Sequence, residues 1–135
     1  MRFISVYDYP AAAQCLYDLL AERVPEVSIS HKEMPSWEAH LKFIASRPYD
    51  AWYLAEIDTE PIGMVYLTDK REVGLFIFKR HRGKGYGGEA LAELKRKHPG
   101  KLLANVSVNN KDGLSFWQDQ GFKPLQHTLL WSAPV

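Results

Sequence analysis

The amino-acid sequence predicts an α+β fold, with strands and helices in an order that neither a repeated βαβ array nor an all-β sandwich would show. Three features point there. The first third of the chain repeats apolar residues at helical spacing, as in Leu16, Leu19, Leu20 and Val24. Three β-rich runs then follow one another across short polar turns. A glycine-rich stretch leads from the last of these runs into a further helical pattern.

Taken in order, residues 3–7 are β-rich and read as a strand. Asp8 and Pro10 suit the start of a helix, which should end before Pro25. Residues 25–35 hold two prolines and little periodicity, so they read as a loop. Ser36 is placed to cap a second, short helix that buries Trp37, Leu41 and either Ile44 or Phe43, and Arg47-Pro48 ends it. Residues 51–57, 62–68 and 72–78 form an antiparallel meander, with turns at 58–61 and 69–71. A loop at 82–88, a helix from about 89 to 97 and a strand at 102–108 come next. Asn109 or Asn110 caps a last helix with Leu114 and Trp117 on its buried side. Gly121 stands where a left-handed cap belongs, and residues 122–131 are strand-like.

With 135 residues, 46% of them hydrophobic and 24% charged, the chain has the size of one domain and is too apolar for disorder. A single unit over 1–135 is expected. Seventeen basic against sixteen acidic residues leave a net charge of +1, which argues against a nucleic-acid partner. The basic run Lys95-Arg96-Lys97-His98 sits at a helix C-terminus, where cations complement the dipole. Cys15 is the only cysteine and the five histidines are scattered, so neither a disulfide nor a metal site is expected. No apolar run has the length of a membrane span and the N-terminus lacks a signal-peptide core; a cytoplasmic, membrane-independent protein is expected.

The chemistry concentrates between Leu75 and Glu89, where a buried-type strand passes through basic residues and glycines into a helix. Glycines allow tight turns and expose successive N–H groups, and a helix start adds unpaired donors, so the segment suits a diphosphate. Gly83, Gly85 and Gly88 spell a dinucleotide fingerprint, but four residues separate the strand from the first glycine and too little chain follows for a doubly wound sheet. A nicotinamide dinucleotide binder is therefore a rival. A P-loop fails because Gly85, rather than Ser or Thr, follows Lys84. An RNA-recognition strand fails at Lys84 and at Gly87-Gly88.

Arg80-His81-Arg82-Gly83-Lys84-Gly85 instead resembles the Arg/Gln-x-x-Gly-x-Gly/Ala signature of the GNAT superfamily of acyl-CoA-dependent N-acetyltransferases. The segment from Asn110 to Gly121-Phe122 is similar to the second cofactor segment of that family. The resemblance implies a mixed, mostly antiparallel sheet flanked by helices, acetyl-CoA as co-substrate, and a small-molecule or protein amine as acceptor. Oligomeric state varies in such proteins and stays open. Carried over residue by residue, the resemblance places the backbone of Phe76, Ile77 and Phe78 along the pantetheine arm. It places the pyrophosphate on the N–H groups of Arg82, Gly83, Lys84, Gly85, Tyr86 and Gly87, with Arg80 or Lys84 nearby, and Asn110 against the cofactor arm. Gly74 would mark a bulge or a close backbone approach in this strand.

The implied reaction is attack of an amine on a thioester, which needs a base to take the amine proton. Glu72 stands where the family often places a glutamate, its other reading being a solvated turn residue; Glu56 is the second candidate. Trp117 occupies the position commonly held by a tyrosine acid, and an indole N–H cannot act as an acid near neutral pH. A non-catalytic acyl-CoA-binding module is therefore the alternative reading. His31, His40, Trp37 and Trp52 fall where the family builds its acceptor pocket, although core or surface roles suit them as well. Tyr86 suits docking of the helix start, and Cys15 suits burial.

Overall fold

A computed structural model describes residues 1–27 and 33–134. The chain divides into two compact units, Met1–Asn105 and Val106–Val135. The first holds a four-stranded sheet of β1 (Arg2–Ser5), β2 (Ala51–Ile57), β3 (Glu60–Leu67) and β4 (Val73–Ile77), with α1 (Ala12–Val27), α2 (Trp37–Ala45) and α3 (Tyr86–Lys97). The second holds α4 (Lys111–Asp119).

The strands lie in the order β1-β2-β3-β4, every pair antiparallel. Alternation along them makes two faces. On one face Trp52, Leu54, Met64 and Phe78 join Leu16 and Leu19 of α1 in the main core, with Tyr66 and Phe76 packed at its margin. On the other, Tyr53 meets α3 through a 2.7 Å hydrogen bond between its hydroxyl and His98 Nε2. Ala90, Leu91 and Leu94, the fully buried stripe of α3, complete that side.

The meander is as expected, and its turns explain its boundaries. Asp58 (φ 50°) and Thr59 (φ 67°) are both left-handed, so two residues suffice to close the β2–β3 hairpin and Glu60 already pairs with Ile57. Pro61, which has no N–H to give a ladder, pairs with Glu56 at the register shift that follows Ala55–Gly63. The extra residue is Ile62, which no residue of β2 matches, so the bulge belongs to β3, while β4 is regular. Gly74 is instead a close approach: it pairs with Tyr66, whose ring occupies the space of a Cβ. In the β3–β4 turn, Thr68 Oγ1 accepts from the N–H groups of Lys70 and Glu72. Arg71 reaches from that turn to the carbonyls of His98, Pro99 and Lys101.

Other boundaries moved. β1 stops at Ser5 because Val6–Asp8 winds into a 3-10 turn that buries Val6, so Asp8 caps nothing and α1 starts at Ala12. The helix passes Pro25 and ends at Val27; a proline in a last turn removes one N–H bond while keeping a helical φ. Of the loop expected at 25–35, residues 28–32, including His31, lie outside the described residues. Ser36 does cap α2, accepting from the Ala39 N–H at 3.1 Å. Its inner stripe, however, is centred on His40 and Ile44, and Trp37, Leu41 and Phe43 are exposed. His40 is held inside by a 2.8 Å bond to the Ala13 carbonyl and by the Tyr17 and Trp37 rings.

Neither late strand forms among the described residues. At 102–108 there is only a parallel bridge between Glu72 and Leu103, with Val73 N–H donating to the Leu103 carbonyl at 2.8 Å. Residues 122–131 form neither a ladder nor a helix, and Leu125, Leu129, Leu130 and Trp131 are exposed. β-propensity makes a strand only where a partner supplies hydrogen bonds and a surface to pack on. Within the second unit Asn110 caps α4, its Oδ1 accepting from Gly113 N–H at 2.9 Å. Gly121 (φ 93°) ends that helix in the left-handed conformation, but Leu114 is exposed.

This packing leads to two expected outcomes. Gly74→Ala forces the Tyr66 ring off the strand and should cost about 1–3 kcal/mol in urea unfolding. The double variant with Tyr66→Ala should then fall short of the sum of the two single effects. His98 is held below its usual value by burial first, then by Arg71 and Lys97. Its cationic form is thus disfavoured in the folded state, so stability falls on acidification, starting near the unfolded value of 6.5 and ending below the lowered folded one. His98→Gln should flatten part of that slope in urea midpoints measured from pH 7.5 to 5.

Candidate acetyl-CoA site

β4 is the last strand of the sheet, so among the described residues one of its edges has no ladder partner beyond the bridge at Leu103. Parity decides which groups face that edge. Phe78 N–H donates to the Ile62 carbonyl at 2.9 Å and the Phe78 carbonyl accepts from His81 N–H, so Phe78 is occupied on the inner side. Phe76, in register with Met64, also turns its backbone inward. The outward residues are Val73, Leu75 and Ile77. Val73 is used by Leu103, which leaves Leu75 and Ile77 as the edge, with the Ile77 carbonyl accepting from Arg82 Nε at 3.1 Å. Of the three backbones anticipated along the cofactor arm, the edge thus presents that of Ile77. Leu75 was missed because a sequence run does not tell which side of a strand stays unpaired.

A 3-10 turn, Lys79–His81, carries the chain from β4 to the glycines. Its start is tied to α1 by a 2.9 Å bond from Lys79 N–H to Glu22 Oε1. Its end is tied to the β2–β3 hairpin: His81, 8% exposed, meets Glu60 through Nε2 at 3.1 Å. Arg80 lies 3.7 Å from the same carboxylate with its guanidinium over the Phe78 ring. Gly83 (φ 77°) and Gly85 (φ 81°) are left-handed and face open space, nothing lying within 4 Å of where a Cβ would stand. Gly85 is the N-cap of α3 and makes no side-chain cap, so the first N–H groups of the helix, at Tyr86, Gly87 and Gly88, lack intrahelical acceptors. Arg82 and Lys84 are exposed beside them. Two left-handed residues, an uncapped helix start and flanking cations fit a bound anion such as a diphosphate.

Glu72 lies at the entrance of β4, half-buried, its carboxylate accepting from Asn105 Nδ2. By alternation it shares the sheet face of Gly74 and Phe76. Glu56 is 9% exposed on β2, opposite Arg2 and beside the bulge. His40 and Trp52 are core residues, Trp52 Nε1 donating to Met64 Sδ. Trp37 rests on Tyr17 and His40. Tyr86 begins α3 with its ring 6.2 Å from that of His81. In the second unit Trp117 packs edge-on between Phe116 and Phe122. Among the described residues, no helix is long and apolar enough to cross a membrane, and no group of three or more His, Cys, Asp or Glu is placed to hold a metal.

The profile of the acetyltransferase (GNAT) family matches residues 14–122, four-fifths of the chain. The chain belongs to this family. Solved GNAT structures share its α+β fold. A ribosomal-protein-alanine N-acetyltransferase from Brucella melitensis is 19% identical, with a TM-score of 0.73 over 91% of this chain and 85% of that one. A spermidine N-acetyltransferase chimera from Vibrio cholerae and hSSAT is 16% identical, with a TM-score of 0.76 over 94% of this chain and 83% of that one. A third, AAC(6')-Iy, was solved with a bisubstrate analogue of CoA; it is 16% identical, with a TM-score of 0.68 over 99% and 97%. No curated protein sequence matches significantly.

The GNAT signature can be spelled in two frames, from Arg80 or from Arg82, and geometry separates them. Arg80 is engaged with Glu60 and Phe78, whereas Arg82-Gly83-Lys84-Gly85-Tyr86-Gly87 spans both left-handed glycines and the first helical turn. Cys15 stands apart from this chemistry: burial first, then Asp18, pushes its thiol up to about 11. Its alkylation by iodoacetamide at pH 8 should therefore run roughly 100-fold slower than that of a free thiol.

Proposed function

We propose that this chain is an acetyl-CoA-dependent N-acetyltransferase acting on an amine, with residues 1–135 working as one domain. The observation that carries the reading is the continuity from the open edge at Leu75 and Ile77 into the uncapped, glycine-lined start of α3. An extended amide-bearing arm would pair with the edge as a further strand would. The pyrophosphate would rest on the N–H groups from Gly83 to Gly87, beside Lys84, because that of Arg82 donates to the Lys79 carbonyl at 3.2 Å. Of the two frames the one from Arg82 suits this role, and Arg80 acts by holding the turn against Glu60. Asn110 joins the set on the family resemblance.

When bound, acetyl-CoA supplies an activated acyl group as a thioester. Glu72, oriented by Asn105, accepts the proton that the attacking amine must lose, directly or through water. An outward N–H at the β4 edge, from Leu75 or Ile77, donates to the acyl oxygen as its negative charge grows. Trp117 offers no acid for the departing sulfur. Solvent serves, because a thiol of pKa near 8.5 leaves readily as thiolate. A cytoplasmic location and the lack of a nucleic-acid or membrane partner belong to the same proposal.

Calorimetric titration with acetyl-CoA, CoA and NADH tests the binding part. Saturable CoA binding is expected, weakened about tenfold or more by Arg82→Ala and further by Gly85→Asp, which puts a like charge and a side chain into the cradle. NADH binding without CoA binding would overturn it in favour of a dinucleotide site. Glu72→Gln should leave the CoA affinity unchanged and lower turnover at neutral pH by about 100-fold. Turnover unchanged across pH would remove Glu72 from the mechanism, and a wild-type protein that binds CoA but acetylates no amine would be the binding module instead.

A further inference from the structure

Arg23 of α1 is left over from the site described above. Its guanidinium lies 3.4 Å above the ring of Phe76, on the same sheet face as Glu72. Its Nε is buried and has no hydrogen-bond partner. Among the described residues no carboxylate pairs with it: Glu22, its neighbour on the helix, accepts from Lys79 N–H instead. Tyr66 lies beside Phe76 on that face, covering Gly74, and the Tyr49 ring stacks on it at 3.8 Å. Both phenols are close enough to act electrostatically on Arg23, and Tyr49 is itself pushed up to about 12, by burial first, so it stays a neutral hydroxyl.

A buried, unpaired guanidinium N–H is costly, and proteins keep such an atom where something else completes it. Nε with a terminal nitrogen presents two parallel donors, the side-on geometry that a carboxylate accepts. The two ends of this face are also opposite in sign. Glu72 stands at one end of β4 to receive a proton from an amine, and Arg23 stands over Phe76 at the other. A polycationic acceptor would meet Arg23 as a like charge with poor hydration.

We infer that Arg23, on its Phe76 platform beside Tyr49 and Tyr66, binds the carboxylate of the acceptor, so that the substrates are amines that also carry a carboxylate, such as amino acids or peptide termini. This inference rests on the N-acetyltransferase reading and adds the substrate class to it. Interactions of this charged kind favour the carboxylate over its neutral amide by about 10- to 100-fold in kcat/KM.

The test uses matched pairs: glycine, β-alanine, 4-aminobutyrate and alanyl-alanine, each against its carboxamide, with spermidine as the polycation. CoA release is followed with wild type, Arg23→Gln and Arg23→Lys, and acetyl-CoA affinity is measured separately by calorimetry. At least one acid should be preferred over its amide by about 10- to 100-fold. Arg23→Gln should bring that ratio close to one, through the KM of the acid, at unchanged acetyl-CoA affinity; Arg23→Lys should keep part of the preference and serves if the glutamine variant does not fold. The inference is overturned if acids and amides react alike, if spermidine is the best acceptor, if the preference survives Arg23→Gln, or if acetyl-CoA binds but no acid is acetylated. Failure of acetyl-CoA to bind at all would instead overturn the N-acetyltransferase reading beneath it.

Discussion

The site depends on one strand edge being left open. β4 has a partner on its inner side throughout, and, among the described residues, on its outer side only at its entrance, where Leu103 bridges Glu72. Among the described residues, no strand lies beside the outer backbone groups from Gly74 onward, and an extended edge of this kind is a template for another chain. Here the exposed stretch is short, because the 3-10 turn at Lys79 ends it. Arg82 closes further on its end by bonding the Ile77 carbonyl. The result is a short open stretch at Leu75 and Ile77 rather than a sticky sheet edge. Its length is set from both sides by elements that have structural work of their own.

The inner side of the same strand is unusually constrained. Gly74 gives up its Cβ space to Tyr66, Tyr66 carries Tyr49, and Tyr49 is pinned through both backbone groups by the Tyr7 hydroxyl. This aromatic stack replaces the aliphatic packing that fills the rest of the face around Leu54 and Met64. Rings have few rotamers and one polar tip, so they make a wall that is firm and still able to meet a polar ligand. Arg23 lies on the Phe76 ring of the same face, where a charge can be kept half-buried without disturbing the aliphatic core.

Local signals carried most of what was legible in the sequence. The meander, the Ser36 and Asn110 caps, the left-handed Gly121 and the glycine loop entering α3 all depend on residues close together in the chain. Features set by distant partners were not legible. The runs at 102–108 and 122–131 have strand-like composition and no ladder, and α2 turned its His40 inward because Ala13 offers a carbonyl there. Gly74 could be singled out but not explained, since the Tyr66 ring that needs it lies on another strand. The site shows the same division. The glycines and cations of the candidate anion loop were readable, although the Arg-x-x-Gly-x-Gly pattern repeats two residues later and only the helix start chooses between the frames. Leu75 and Arg23 had no signal at all: the first needs the strand order, the second the ring beneath it.

Glu60 is the first residue of β3, at the tip of a tight hairpin and outside the cradle, yet its carboxylate holds both His81 and Arg80. The hairpin tip looks like a convenient place to graft a tag, a fluorophore or a permuted terminus, being short, exposed and polar. It is the wrong place. Lengthening Asp58-Thr59 would draw Glu60 away from the turn that launches the glycine loop, and a fusion made there for convenience would report a weakened ligand site. The turn between β3 and β4 carries a similar hidden tie through Arg71, so neither hairpin of this sheet is a neutral point of attachment.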